Sequence, residues 1–243
     1  MGQPSRRFLV IVANLWLACL GGGGLLLAAN ARACADETVT VAGSRAVLIK
    51  PEKPHASVIL MPGGDGAIHA GDDGDIRSLL GNQLVRTRHA YAALGLAVLV
   101  ADVSTDLKSA VDYMAEVKRP VTVIATSNGT RRAAQGIARG ARPDALVLTS
   151  GFLSPDSGAA SNVMSILGSP SVLPPTLVIH HREDGCALTK PGGVEPFIRW
   201  SAGKAQASWL SGGIDEGDPC QARGHHGFKG LDREVVELAA GFH

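Results

Sequence analysis

From about residue 39 onward, short runs of consecutive apolar residues alternate with segments whose apolar residues recur every three or four positions. The runs predict eight strands, at Val39–Val41, Ala46–Ile49, Val58–Met61, Leu96–Val100, Val121–Ala125, Ala145–Leu148, Thr176–His180 and Ala207–Leu210. Several are apolar at every position, the pattern of strands covered on both faces. The periodic segments predict helices over residues 75–94, 105–118, 130–139, 194–202 and 231–240. In the second of these, Leu107, Ala110, Val111 and Met114 form one apolar face, and Pro120 stops the helix. Strands alternating with helices predict an α/β domain with a mostly parallel sheet and helices on both faces. Residues 151–175 form a connection rich in glycine, serine and proline, too short for a large lid domain.

The first 35 residues break this pattern. Arg6 and Arg7 precede an apolar stretch from Phe8 to about Ala29, and Ala33-Cys34-Ala35 fits a small-residue cleavage site before Asp36. Positive end, apolar middle and small-residue exit predict a secretory signal over residues 1–35 and a mature domain over residues 36–243. Two alternatives use the same residues: an uncleaved membrane anchor, which Gly21 to Gly24 weaken, and a lipoprotein acylated at Cys34, which Ala31 and Arg32 disfavour. The stretch Ser5-Arg6-Arg7-Phe8-Leu9-Val10 also resembles a twin-arginine export signal. The expected location is periplasmic or secreted, with no stable membrane association after cleavage.

Composition narrows the classes further. The chain has 243 residues, 45% hydrophobic and 19% charged, with a formal net charge of +1, which excludes a disordered chain. Loss of Arg6, Arg7 and Arg32 with the signal, and of no acidic residue, leaves −2. No basic excess points to nucleic acid. Cys186 and Cys220 are the two cysteines of the mature chain, and two cysteines in an exported protein predict one disulfide, with free thiols the alternative.

The sharpest chemical signal is Ala125-Thr126-Ser127-Asn128-Gly129, lying between a buried strand and a helix. It fits the small-x-Ser-x-Gly turn that lifts a serine hydroxyl into a cleft at a helix N-terminus, although a serine simply capping a helix reads the same. Upstream, Val58-Ile59-Leu60-Met61 runs into Pro62-Gly63-Gly64-Asp65-Gly66. Acyl transfer needs two N–H donors at the developing oxyanion, and Gly64 and Asn128 are the candidates, with Asp65 one position from Gly64. Neither a phosphate loop nor a dinucleotide fingerprint fits the glycine spacing. Downstream, Asp184 lies just past a strand end, and His226 stands in Gly224-His225-His226-Gly227-Phe228 before the last helix.

These segments resemble the α/β-hydrolase superfamily, particularly its small dienelactone-hydrolase-like members with little or no cap. The likeness runs from about Ala46 to Phe242 and includes Gly81-Asn82-Gln83-Leu84-Val85-Arg86. It implies an eight-stranded α/β-hydrolase sheet and the chain order Ser127, Asp184, His226 for nucleophile, acid and base. Glu183 is a fallback acid, and His225 a neighbour whose role exchanges with that of His226 if the register slips by one. Ala125 departs from the usual glycine. A serine replaces the cysteine of dienelactone hydrolases proper, so their substrate class does not carry over.

A metal reading draws on His180, His181, Asp184, Cys186, His225 and His226, but adjacent strand residues face opposite ways, so no metal and no cofactor are expected. Arg131 and Arg132 read as a solvated helix face, with attraction of an anionic substrate the alternative, and Trp200 and Trp209 read as core or pocket wall. His55, His69, His89 and His243 read as surface or loop residues. The expectation is an exported serine hydrolase that cleaves a small-molecule carboxylic ester through an acyl-enzyme. The alternatives are an amidase or peptidase with the same triad, and a non-catalytic binding protein on a hydrolase scaffold.

Overall fold

The computed structural model describes residues 34–243, so the proposed signal lies outside the described residues except for its last two. Eight strands form one sheet: β1 (Asp36–Val41), β2 (Ser44–Ile49), β3 (Ala56–Met61), β4 (Leu96–Val100), β5 (Val121–Thr126), β6 (Ala145–Thr149), β7 (Thr176–His181) and β8 (Ala205–Leu210). Their spatial order is β1-β2-β4-β3-β5-β6-β7-β8. The β1–β2 and β2–β4 pairs are antiparallel, and every later pair is parallel. Strands β3 to β7 are buried at every position, as their uninterrupted apolar runs require.

Among the described residues, six α-helices cover the two faces: α1 (Gln83–Ala93), α2 (Leu107–Val117), α3 (Asn128–Ala138), α4 (Val163–Leu167), α5 (Val194–Trp200) and α6 (Asp232–Ala240). The two-residue repeat of each strand divides the core. Val123 and Ala125 of β5 join α2, α3, α4 and α5 on one side, while Ile124 joins α1 and α6 on the other. Leu107, Ala110, Val111 and Met114 are the buried face of α2, as their spacing predicts.

Three expectations are corrected. The helix expected from Asp75 begins only at Gln83, because Gly74 and Leu79 adopt positive φ and residues 68–78 form a loop closed by Gly71 N–H donating to Asp75 O and Arg77 N–H to Ile68 O. Asn82 then caps α1, its side chain accepting from the Leu84 N–H at 3.1 Å. Residues 151–175 are not plain connection. They carry α4, started by a reciprocal cap between Asn162 and Ser165, and single 3-10 turns at Pro155–Ser157 and Pro170–Val172. Strand β1 begins at Asp36 rather than Val39, and Asp36 accepts hydrogen bonds from Arg88 at 3.0 and 3.1 Å.

Strand β7 ends on two fully buried histidines facing opposite sides. His181 bonds Gly212 O through Nε2 (2.9 Å) and accepts the Glu183 N–H at Nδ1 (3.1 Å). His180 packs edge-on against Trp209, and neither of its ring nitrogens has a hydrogen-bond partner among the described residues. Burial drives its pKa from 6.5 to about 4, against the pull of the Asp184 carboxylate 3.6 Å away. The folded state therefore resists a proton that the unfolded chain binds below about pH 6.5, so stability falls as pH drops from there toward 4. At about 1.36 kcal/mol per pKa unit, the loss is on the order of 3 kcal/mol. Urea unfolding at pH 7 and pH 4.5 should show that loss in the wild type and a clearly smaller one in His180→Leu. Equal losses in both proteins would contradict the assignment.

Candidate active site

The turn between β5 and α3 is held by hydrogen bonds of Ser127 and by close approaches at small residues. Ser127 sits at φ +51°, ψ −125°, a conformation rare for a residue with a side chain. Its N–H donates to Thr149 O, and its carbonyl accepts from the N–H and hydroxyl of Thr130, so the strained backbone is held on both sides. At Gly129 an added Cβ would lie 2.2 Å from Met61 O, and at Gly63 an added Cβ would lie 2.9 Å from Ser127 Cβ. Ala125, where a glycine is usual, is fully buried in the α3 side of the core, where its methyl group fits.

Ser127 Oγ lies 3.0 Å from His226 Nε2, and His226 Nδ1 lies 3.0 Å from Asp184 Oδ2. His226 reaches this position from a 3-10 turn, His225–Gly227, tied to α1 by Arg86. The Arg86 guanidinium donates to Gly227 O (2.7 Å), to Gly81 O (2.6 Å) and to Asp232 (2.6 Å). Asp184 comes from the loop after β7 and is buried. Its Oδ1 accepts the Cys186 N–H (2.9 Å) and its Oδ2 the Thr189 hydroxyl (3.1 Å). Burial alone would raise the Asp184 carboxyl. The hydrogen bond and charge of His226, the Cys186 N–H and neighbouring His180 together hold it below the usual carboxylate value.

The neighbours read as alternatives are occupied elsewhere. The His225 ring stacks on His181 at 4.0 Å, and its Nδ1 lies 3.2 Å from Glu183 O. Glu183 is exposed. His181, Glu183 and His225 bring possible metal ligands within 4.8 Å of one another, but both ring nitrogens of His181 are already engaged as above. Thr189 is the residue that sequence reasoning missed. Its Oγ1 lies 3.0 Å from His226 Nδ1 as well as bonding Asp184, and a lone threonine five residues beyond the acid carries no motif.

Ser127 and His226 open on a cavity of about 440 Å³, whose apolar walls include Leu79, Phe152 and Leu188. Gly64 and Asn128 line it, while Asp65 does not and instead accepts the Ala67 N–H. Asn128 is the first residue of α3, so its N–H has no acceptor within the helix. Cys186 and Cys220 form a disulfide, 34 residues apart, that forms part of the cavity wall and ties the Asp184 loop to the segment before His226. Neither Trp200 nor Trp209 lines the cavity, and His55, His69, His89 and His243 are exposed. Arg131 and Arg132 are not a free solvated face: Arg131 Nε donates to Asn128 Oδ1, and Arg132 reaches the Pro62 carbonyl.

No protein-family model and no curated protein matches the chain. Solved structures do match. A dienelactone hydrolase from Anabaena variabilis superposes with a TM-score of 0.56 at 16% identity, over 85% of this chain and 94% of that one. A Xanthomonas campestris protein described as an α/β serine hydrolase without lid gives 0.57 at 14% identity, over 86% and 94%. The esterase domain of a Rhodothermus marinus protein gives 0.55 at 15% identity, over 85% and 99%. With its sheet order, its turn at Ser127 and these superpositions, the chain has the α/β-hydrolase fold.

Proposed function

We propose that the protein is an exported serine hydrolase that cleaves small carboxylic esters through an acyl-enzyme. The observation that carries this reading is the unbroken chain of contacts from Ser127 Oγ through His226 to Asp184, with the serine end open to a largely apolar cavity. A serine hydroxyl is a weak nucleophile alone, and a base within hydrogen-bond reach activates it. Ser127 Oγ attacks the ester carbonyl carbon as its proton passes to His226 Nε2. The carbonyl electron pair moves onto oxygen, which faces the N–H groups of Gly64 and Asn128. Collapse breaks the bond to the alcohol oxygen, which takes the proton from His226. Water then repeats both steps on the acyl-serine, releasing the acid and restoring Ser127. Asp184 keeps the imidazole in the tautomer with Nδ1–H and stabilises the imidazolium. A cavity of about 440 Å³ suits a compact acyl or alcohol group.

Export follows from the order of charge and hydropathy in residues 1–35. Two features of the described residues are in keeping with it: cleavage before Asp36 leaves β1 whole, and the Cys186–Cys220 bridge belongs to an oxidising compartment.

On p-nitrophenyl acetate, Ser127→Ala and His226→Ala should each lower turnover by at least about 10³-fold while the protein stays folded. His225→Ala should retain most activity. Substantial turnover by folded Ser127→Ala would remove it from the mechanism, and a dead His225 variant beside an active His226 variant would move the base by one residue. A matching amide turned over faster than the ester would favour the amidase reading. For export, the intact mass of protein recovered outside the cytoplasm should correspond to a chain starting at Asp36 with one disulfide. A chain retaining residues 8–29, or two free thiols, would contradict it.

A further inference from the structure

Asn128 makes two side-chain bonds that point in different directions. Its Nδ2 donates to Gly64 O at 2.7 Å, across the gap between α3 and the loop after β3. Its Oδ1 accepts from Arg131 Nε at 2.7 Å, which fixes which end of the amide faces the loop. The Arg131 guanidinium is itself set in place, its carbon 4.5 Å above the centre of the Phe152 ring. Arg132, the next residue, donates to the Pro62 carbonyl from the same helix. Gly66 at φ +79° leaves room for it, since an added Cβ there would overlap the guanidinium at 2.4 Å from Cζ.

The loop needs such a grip. Gly64 has φ +61°, and glycine is the residue whose backbone moves most freely. Within the loop, the Gly66 N–H donates to Gly63 O at 3.1 Å, which orients the Gly63–Gly64 peptide from one side. The bond from Asn128 Nδ2 to Gly64 O fixes the following peptide from the other side. The Gly64 N–H, between those two carbonyls, is thus held relative to the residue whose own backbone N–H is the second donor.

We propose that the Asn128 side chain, oriented by Arg131 over Phe152, is a strut that sets the spacing of the two oxyanion donors, making Asn128 and Arg131 positioning residues. This rests on the reading of the Gly64 and Asn128 N–H groups as those donors. A strut on α3 acts in the transition state, because a misplaced donor weakens the hold on the oxyanion while leaving ester binding in the apolar cavity unchanged. Removing an oxyanion donor outright costs roughly 10²- to 10³-fold in kcat, so loosening one should cost about 10- to 100-fold.

The test is p-nitrophenyl acetate kinetics on the full chain, with inhibition by a trifluoromethyl ketone whose hemiketal oxyanion occupies the same position. Asn128→Ala should lower kcat about 10- to 100-fold and weaken the ketone by a similar factor, with KM within about threefold and the acid limb of the pH profile unmoved. Asn128→Asp keeps the shape and the Arg131 contact but places a carboxylate oxygen against Gly64 O. It should lose at least as much, and it decides the matter if the alanine variant does not fold. Arg131→Met should lose less alone and add little to Asn128→Ala, because the two side chains act in series. Folded Asn128 variants with wild-type kcat and wild-type ketone affinity would overturn the strut while leaving the hydrolase reading intact. Loss confined to thermal stability, or an acid limb that shifts with the mutation, would overturn it as well. A wild type inert toward both ester and ketone would overturn the strut together with the reading it rests on.

Discussion

Helix α3 starts so close to strand β3 that no side chain fits between them: an added Cβ at Gly129 would lie 2.2 Å from Met61 O and 2.8 Å from Pro62 O. That close approach forces the chain to reverse within one residue of β5, and Ser127 takes the positive φ that the reversal demands. The rest of the site follows from this contact. It brings the helix N-terminus beside the loop after β3, so Asn128 can reach Gly64 and Arg132 can reach Pro62. It also projects the Ser127 hydroxyl away from the sheet, toward the ring of His226.

The sheet supplies the second half of the arrangement. Parallel strands β5 and β7 end on the same edge, so the loops that follow them deliver Ser127 and Asp184 to one end of the domain. The acid loop is closed by its own bonds, with Asp184 accepting from Cys186 and Thr189, and the disulfide fastens it to the segment leading to His226. Loop closure of this length is worth roughly 4 kcal/mol in the chain-entropy model, a large fraction of a typical stability of about 5 to 15 kcal/mol. The same bridge therefore ties the Asp184 loop to the segment before His226 as well as closing the chain. His180 is the exception to this economy of contacts, a buried imidazole beside the carboxylate with no hydrogen-bond partner among the described residues.

The strands were legible because burial on both faces leaves an unbroken apolar run, and β4 matches its expected bounds at both ends. That Ser127, Asp184 and His226 come together is legible because each stands at a strand end or turn of a recognisable type. The start of α1 is not legible because residues 75–80 carry side chains that a helix accepts. The loop there is held by backbone bonds to Ile68 and Gly71 that no local pattern reveals. Asn82 caps the helix where the loop ends. Thr189 is invisible for a related reason: its contact with His226 is made only by the fold.

Covalent labelling tests most directly the proposed role of Ser127 as a nucleophile activated by His226. Folded protein treated with a fluorophosphonate should gain the mass of one adduct, peptide mapping should place that adduct on Ser127, and His226→Ala should label far more slowly. A folded wild type that gains no adduct, or gains one on another residue while Ser127 stays unmodified, would contradict the account.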